Sequence, residues 1–331
     1  MRFFEFPAEK NNQKTQQLSD LTMETGGIPI RSVVITTWRS GSTFLGDILN
    51  SLPGSFYHYE PLANFEIIQI RNETDSRVPQ ALFNIRKLLK CDYSGSSMEN
   101  YLTYGKNHTW VFKFNRRLWH LCNLHPQFCY RPDFLTPLCR VFPIHFMKII
   151  RLRLSVSGKL LDDPEFKLKM LLLIRDPRGT LQSRKHENWC IGEKDCDNPS
   201  SLCQGMVEDY YAAQLYSKKY PDHFRVVRYE DLSLNPYEIT NGILRFYGLP
   251  MDSEVIKFLK SHTKVNVGDA YTTYRNSKTA PFHWIKDLSY EEIDTIQNSC
   301  SEAMKLWGYK KISNSSFQID TFDPLLPYSV M

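Results

Sequence analysis

Ser32-Val33-Val34-Ile35-Thr36 is a β-branched run that passes directly into the loop Thr37-Trp38-Arg39-Ser40-Gly41-Ser42-Thr43. A run with no polar alternation reads as a strand buried on both faces. Past the loop, Phe44, Leu45, Ile48, Leu49 and Leu52 fall on one helical face, and Pro53-Gly54 stops the helix. A buried strand that turns at once into an amphipathic helix is the repeating unit of an α/β sheet.

The rest of the chain continues that pattern. Strands are predicted at Phe56–Tyr59, ended by Glu60-Pro61, at His145–Ile150, at Lys169–Ile174 and at Phe224–Tyr229. Asp176-Pro177 offers an N-cap and a proline at the first helical position. Helices are predicted over Ala81–Lys90, Met206–Tyr220 and Asn235–Tyr247. A further one opens at the capping box Ser289-Tyr290-Glu291-Glu292 and runs to about Trp307. The predicted fold is α/β, a mostly parallel sheet with helices on both faces. Residues 1–30 read as a polar lead-in, 31–312 as the main domain and 313–331 as a tail. Residues 62–140 mix short helical patterns with Cys- and Pro-rich loops and read as an insertion, lid or acceptor-binding region.

Charge and cysteine content narrow the class. Lys and Arg number 41 against 36 Asp and Glu, a net +5 that suits anionic ligands without demanding nucleic acid. No stretch approaches the apolar length of a membrane span. The start lacks the apolar core of a signal peptide, so either the protein is cytosolic or the beginning of a longer chain is missing. Of eight cysteines, six crowd into two sets, Cys122, Cys129 and Cys139 and then Cys190, Cys196 and Cys203, with Cys91 and Cys300 outside them, and no C-x-x-C pair suggests zinc. Disulfides in an oxidising compartment and buried reduced thiols are the two readings. Cys203 with Cys300 is one conceivable pair. Sequons stand at Asn72, Asn107 and Asn314.

The 37–43 loop is built for an anion. A helix N-terminus presents unpaired N–H groups and a positive dipole end. Gly41 admits close backbone approach, Ser40, Ser42 and Thr43 add hydroxyls, and Arg39 adds charge. It is not a Walker A loop, because the first glycine and the lysine are missing. A plain Ser-capped turn is the bland alternative. The segment Arg175-Asp176-Pro177-Arg178-Gly179-Thr180-Leu181-Gln182-Ser183 follows the clearest strand. Arg175 stands at that strand's carboxyl end, where α/β sheets bind ligands, and Ser183 lies two helical turns on. An Asp176–Arg ion pair with exposed basic residues is the competing reading there.

Together these two motifs resemble the sulfotransferase superfamily, and more narrowly the Golgi carbohydrate 6-O-sulfotransferases. Trp38 through Phe44 matches the 5′-phosphosulfate loop W-R-S-G-[ST]-[ST]-F, and Arg175 through Ser183 matches the 3′-phosphate motif R-D-P-R-x-x-x-x-S. Weaker matches are Glu60-Pro61, Lys148-Ile149-Ile150-Arg151, Arg228 through Leu232, and the closing Trp284, Cys300, Met304 and Gly308-Tyr309. The resemblance covers roughly residues 30–310. It implies a P-loop-like sulfotransferase fold and an enzyme that uses 3′-phosphoadenosine-5′-phosphosulfate as donor, with no metal. The implied acceptor is a glycan on a glycoprotein or proteoglycan, sulfated at the 6-hydroxyl of N-acetylglucosamine, galactose or N-acetylgalactosamine. It also implies a Golgi location and a membrane anchor, which this sequence does not show. A cytosolic small-molecule sulfotransferase and an inactive glycan-binding protein are the alternatives.

On that resemblance the donor is held by Thr37, Trp38, Arg39, Ser40, Gly41, Ser42 and Thr43 at one phosphate. Arg175, Asp176, Pro177, Arg178 and Ser183 serve the other. Glu60 is the expected general base. His58 is its rival, since strand alternation would point it to the same side as Glu60. Lys148 is expected to meet the acceptor or the sulfate, or else to be a solvated lysine. Trp284, near Lys278 and Lys286, is either core or a cover for the adenosine.

Overall fold

The computed structural model describes residues 17–264, 266–267, 273–313 and 322–330. Five strands form one wholly parallel sheet: β1 (Ile30–Ile35), β2 (Ser55–Tyr59), β3 (Ile144–Ile149), β4 (Lys169–Ile174) and β5 (Phe224–Arg228), in the order β2-β3-β1-β4-β5. Each strand was legible to within two residues at either end, and β4 matches at both. β1 pairs with β3 from Ile30↔Ile144 to Ile35↔Ile149 and with β4 from Ser32↔Lys169 to Ile35↔Leu172. The chain therefore leaves β1 in one direction to build β2 and in the other to build β4. The carboxyl ends flanking such a switch point are where parallel sheets bind ligands.

Successive side chains on a strand point to opposite faces, and both faces are covered. Val33, Ile35, Met147, Ile149, Met170 and Leu172 belong to one apolar cluster, shared with residues of the 78–140 helices and of the long helix Pro199–Lys219. Val34, Phe146, Leu171 and Leu173 belong to the other, shared with the helices Ser42–Ser51, Pro236–Phe246 and Ser253–His262. This two-sided burial explains the continuous apolar strands.

Three segments depart from the sequence expectation. Residues 62–140 are largely helical, with helices at Val78–Leu89, Ser96–Asn107, Trp110–Lys113, Arg116–Leu124 and Pro132–Arg140. Val78, Ala81, Leu82, Ile85, Leu88 and Leu89 make a regular buried stripe on the first of these, which starts three residues before the expected Ala81; the helices that follow are broken up by Cys- and Pro-bearing turns. The helix expected from Met206 starts earlier, at Pro199, because the Asn198 side chain caps it by accepting from Ser201 N at 2.9 Å. The helix expected over 289–307 is two helices, Tyr290–Ser299 and Ser301–Leu306, broken at Cys300. The capping box at Ser289 and Glu292 is present as predicted.

All eight cysteines are paired: Cys91–Cys139, Cys122–Cys129, Cys190–Cys196 and Cys203–Cys300. Buried reduced thiols are thereby set aside, and the 203–300 pair is realised. It ties the long helix to the break between the last two. Residues 322–330 of the tail touch the domain. Leu325 bridges to Tyr309, and Arg228 Nη1 donates to the Leu326 carbonyl at 2.9 Å. The sequon at Asn314 lies outside the described residues. No helix among the described residues is long and apolar enough to cross a membrane.

Candidate active site

Four strand ends converge on one cavity of about 900 Å³. β2 delivers Tyr59 and Glu60, β3 delivers Lys148 and leads to Arg151, β1 leads to the 37–43 loop, and β4 leads to Arg175. The two sequence motifs lie over 130 residues apart, yet they follow neighbouring strands. That volume is at the upper end of ordinary ligand pockets and has room for a nucleotide and part of a second substrate.

At the anion side, Trp38, Arg39, Gly41, Ser42, Thr43, Arg175 and Ser183 all line the cavity. Gly41 has φ +85°, and a Cβ there would lie 2.2 Å from the Tyr229 ring, so no other residue fits without displacing that ring. Arg39 is also left-handed, at φ +61°, a conformation that costs a β-carbon residue about 1–2 kcal/mol. Its surroundings hold it there. Arg175 Nη1 donates to the Arg39 carbonyl at 2.8 Å, Arg39 Nε donates to Ser183 Oγ at 2.9 Å, and Arg39 Nη1 meets Glu187 Oε1 at 3.1 Å. The two motifs are thus stapled to each other. Arg175 Nε is buried with no hydrogen-bond partner among the described residues. An unpaired buried guanidinium N–H is costly unless an anion takes it up.

The remaining motif residues support this surface from behind. The Thr36 hydroxyl lies 2.7 Å from Ser40 Oγ and 2.8 Å from the Leu173 carbonyl, which ties Ser40 to β4. Arg184 is wholly enclosed. It donates to Thr37 Oγ1 at 2.7 Å, to the Trp38 carbonyl at 2.9 Å and to the Cys196 carbonyl, so the Cys190–Cys196 loop braces the anion loop. Thr37 and Ser40 do not line the cavity.

The expectation for Asp176, Pro177 and Arg178 is corrected. Asp176 caps the helix Pro177–Arg184 by accepting from Arg178 N at 2.9 Å. Its carboxylate pairs with the Arg178 guanidinium at 2.7 Å, at 0% exposure of that side chain. Arg178 also donates to Gln297 Oε1 and the Lys310 carbonyl and lies 4.0 Å from the centre of the Trp284 ring. Their charge is spent on the interior, and none of the three lines the cavity. Trp284 is likewise core.

Behind this pair sits Glu230, which accepts from Asp176 N at 2.9 Å and from the Tyr309 hydroxyl at 3.0 Å. Burial, followed by the nearby Asp176 charge, pushes its carboxyl up to about 7. A raised carboxyl favours the folded state at low pH. That contribution is complete below the unfolded value near 4.5 and fades as pH rises through about 7. Glu230→Gln is therefore expected to gain stability over wild type by on the order of 3 kcal/mol between pH 4.5 and 8. Melting temperatures of both proteins across that range check it; parallel curves contradict it.

Glu60 occupies the opposite wall. Its carboxylate meets Lys148 Nζ at 2.8 Å and Arg151 Nη1 at 3.1 Å. Burial acts to raise its pKa, but Lys148 and Arg151 outweigh burial and hold it below the usual carboxylate range. It is ionised at neutral pH. The solvated-lysine reading fails, since Lys148 is 2% exposed. Strand alternation also fails at this point. Glu60 is left-handed, at φ +47°, so the turn redirects its side chain. His58 instead faces the other side of the sheet, with Nε2 2.7 Å from the Tyr93 hydroxyl. Burial, then His145, lowers its pKa to about 3, and it does not line the cavity. His58 is removed as a rival base.

Several lining residues escaped the sequence reading. Arg151 ends the Lys148–Arg151 match to the family, which assigns it no role. Glu187, which holds Arg39 but does not itself line the cavity, is one polar residue in a polar run and carries no signal. Tyr59 stacks on Phe114 at 3.8 Å and lies under Lys148 Nζ at 3.6 Å. Tyr104, Trp110 and Phe114 form an aromatic wall from the 62–140 region.

Residues 29–308 match the sulfotransferase domain family. The chain is a member of that family. Among curated sulfotransferases, carbohydrate sulfotransferase 1 of Mus musculus is 28% identical, over 87% of this chain and 80% of its own length. Carbohydrate sulfotransferase 4 of Mus musculus is 25% identical over 88% and 84%. Carbohydrate sulfotransferase 3 of Tetronarce californica is 27% identical over 86% and 73%. Among solved structures, retinol dehydratase in a complex with retinol and PAP aligns over 84% of this chain and 82% of its own, at 17% identity and a TM-score of 0.45. The protein is a sulfotransferase.

Proposed function

We propose that this sulfotransferase moves a sulfuryl group from 3′-phosphoadenosine-5′-phosphosulfate to the 6-hydroxyl of N-acetylglucosamine, galactose or N-acetylgalactosamine in a glycan. The observation that carries this is one cavity holding an unpaired buried arginine N–H, a left-handed anion loop and an ionised carboxylate. The names of the curated relatives support a sugar acceptor. The four disulfides support an oxidising compartment such as the Golgi lumen over the cytosol.

The donor's two charged ends fit the two stapled motifs. Arg175 and Ser183 would hold the 3′-phosphate, with the free Arg175 Nε as the unmet donor. Arg39 and the N–H groups at the start of the Ser42–Ser51 helix would hold the 5′-phosphate. The bound donor supplies the sulfuryl group and leaves as the 3′,5′-bisphosphate. Lys148 turns from Glu60 toward the incoming anionic group and stabilises charge as it develops. Glu60, released from Lys148, accepts the proton of the attacking hydroxyl. Arg151 keeps the carboxylate aimed. Tyr104, Trp110 and Phe114 offer flat apolar surface to a sugar ring, with polar groups at the edges for its hydroxyls.

Transfer of radiolabelled sulfate to a panel of acceptors tests this. The panel holds glycans ending in each of the three sugars, their 6-deoxy counterparts, a phenol and a steroid. Label is expected in at least one intact glycan and in none of the 6-deoxy forms. Label only in the phenol or steroid would indicate a small-molecule enzyme. No label together with no donor binding would indicate a glycan-binding protein on this scaffold.

A further inference from the structure

Two sequons lie among the described residues, and both asparagines are exposed. Asn72 sits in a turn and accepts from its own Thr74, from the amide at 3.1 Å and from the hydroxyl at 2.7 Å. Asn107 is placed differently. It is the last residue of the helix Ser96–Asn107, and the next helix starts at Trp110. His108 and Thr109 form the break between them, so the Asn107 carboxamide stands on an open corner of the surface. The paired cysteines place the folded chain in a compartment where such carboxamides are modified.

That corner belongs to the acceptor wall. Tyr104, one helical turn before Asn107, lines the cavity, and so does Trp110, three residues after it. Tyr104 and Asn107, three apart on one helix, are neighbours on its surface, while Trp110 opens the next helix across the break. The Tyr104 ring stacks on His108 at 4.1 Å, inside the sequon itself. Trp110 meets Tyr59 edge-on at 5.9 Å and leaves 36% of its surface open. A bulky polar group on Asn107 would therefore rise beside the aromatic faces at the cavity mouth.

We propose that Asn107 carries an N-linked glycan that stands over the Tyr104–Trp110 rim and limits acceptors to those that enter end-on. The bond forms between Asn107 Nδ2 and the anomeric carbon of an oligosaccharide. The carboxamide loses a proton, and the lipid pyrophosphate that carried the sugar leaves with the bonding pair. Occupancy and shielding of the rim are independent of the sulfuryl-transfer reading; the limit on acceptors rests on it.

The test uses the full chain secreted from animal cells. Peptide mass analysis, with N-glycosidase in heavy-oxygen water, reads occupancy at Asn107 and Asn72. Acrylamide quenching of tryptophan fluorescence reads shielding without any activity. Removing the glycan is expected to raise the quenching constant in wild type and not in Trp110→Phe. Thr109→Ala and Asn107→Gln are expected to raise severalfold the kcat/KM ratio of a long polymeric acceptor to a disaccharide. Thr109→Ser keeps the sequon, and Asn72→Gln leaves the rim untouched; both should keep the wild-type ratio. An unmodified Asn107 beside an occupied Asn72 overturns the proposal. So does an occupied Asn107 with neither quenching nor the acceptor ratio changed. Shielding seen with no transfer to any glycan would retain the rim glycan and reject the sulfuryl-transfer reading.

Discussion

Glu60→Gln is expected to lower kcat for sulfuryl transfer by about 10²–10⁴-fold, the usual contribution of a positioned base. The substitution keeps the side chain's length and one carbonyl oxygen, and it removes the site for the proton. Binding of adenosine 3′,5′-bisphosphate is expected to change little, because Glu60 faces Lys148 and Arg151 and not the stapled motifs. The pH profile gives a second reading. Lys148 and Arg151 hold the Glu60 carboxyl below its ordinary range. A base is active above its pKa, and kcat/KM reports the free enzyme, in which Lys148 still holds Glu60, so wild-type kcat/KM should stay high into weakly acidic solution and fall only below the usual carboxylate range. Arg151→Ala removes one of the two cations and should move that acid limb to higher pH. Steady-state rates across pH for the three proteins decide it. A wild-type acid limb near neutrality would point to a different base.

Arg175→Ala has the second large expected effect. It removes the unpaired Nε and the bond to the Arg39 carbonyl. Truncating a buried charged partner typically costs about 2–4 kcal/mol, or roughly 30- to 1000-fold in affinity. The loss should be selective. Wild type should prefer a donor with a 3′-phosphate over adenosine 5′-phosphosulfate, and the variant should bind both about equally weakly. Titration calorimetry with the two ligands reads this directly. An equal loss for both ligands would show that Arg175 acts only through the loop it braces. Arg178→Ala separates the site from the fold. The Asp176–Arg178 pair lies in the interior, so that variant should lose melting temperature before it loses donor preference.

The strands and the anion loop were legible because their physics is local. A strand covered on both faces reads as a near-continuous apolar run, and Met170–Ile174 is one, opened by a lysine at its edge, which is why both ends of Lys169–Ile174 were placed correctly. Ser40-Gly41-Ser42 between strand and helix signals an anion loop by the backbone it requires. The ordered pair of motifs then fixed the family. What stayed hidden depends on contacts between distant segments or on single backbone angles. Alternation put His58 beside Glu60, and one left-handed residue at the strand end undid it. The family resemblance made Asp176 and Arg178 ligands, but they satisfy each other inside the protein, as the competing ion-pair reading had it. Continuous periodicity ran through Cys300, but the helix breaks there, at the residue that is bonded to Cys203. The 62–140 region is a series of separate helices joined by Cys- and Pro-bearing turns, so no single periodic run marked it as helical.

In the proposed reaction one cavity joins two phosphate clamps to an ionised carboxylate, and Lys148 exchanges Glu60 for the donor. The most direct measurement is a crystal structure with adenosine 3′,5′-bisphosphate and a glycan acceptor bound together. The account predicts the 3′-phosphate on Arg175 and Ser183 and the 5′-phosphate on the 39–43 loop. It also predicts Lys148 turned from Glu60, with a sugar 6-hydroxyl within about 3.2 Å of the Glu60 carboxylate. A nucleotide lying elsewhere would contradict it, as would a sugar hydroxyl approaching some other base while Glu60 keeps Lys148.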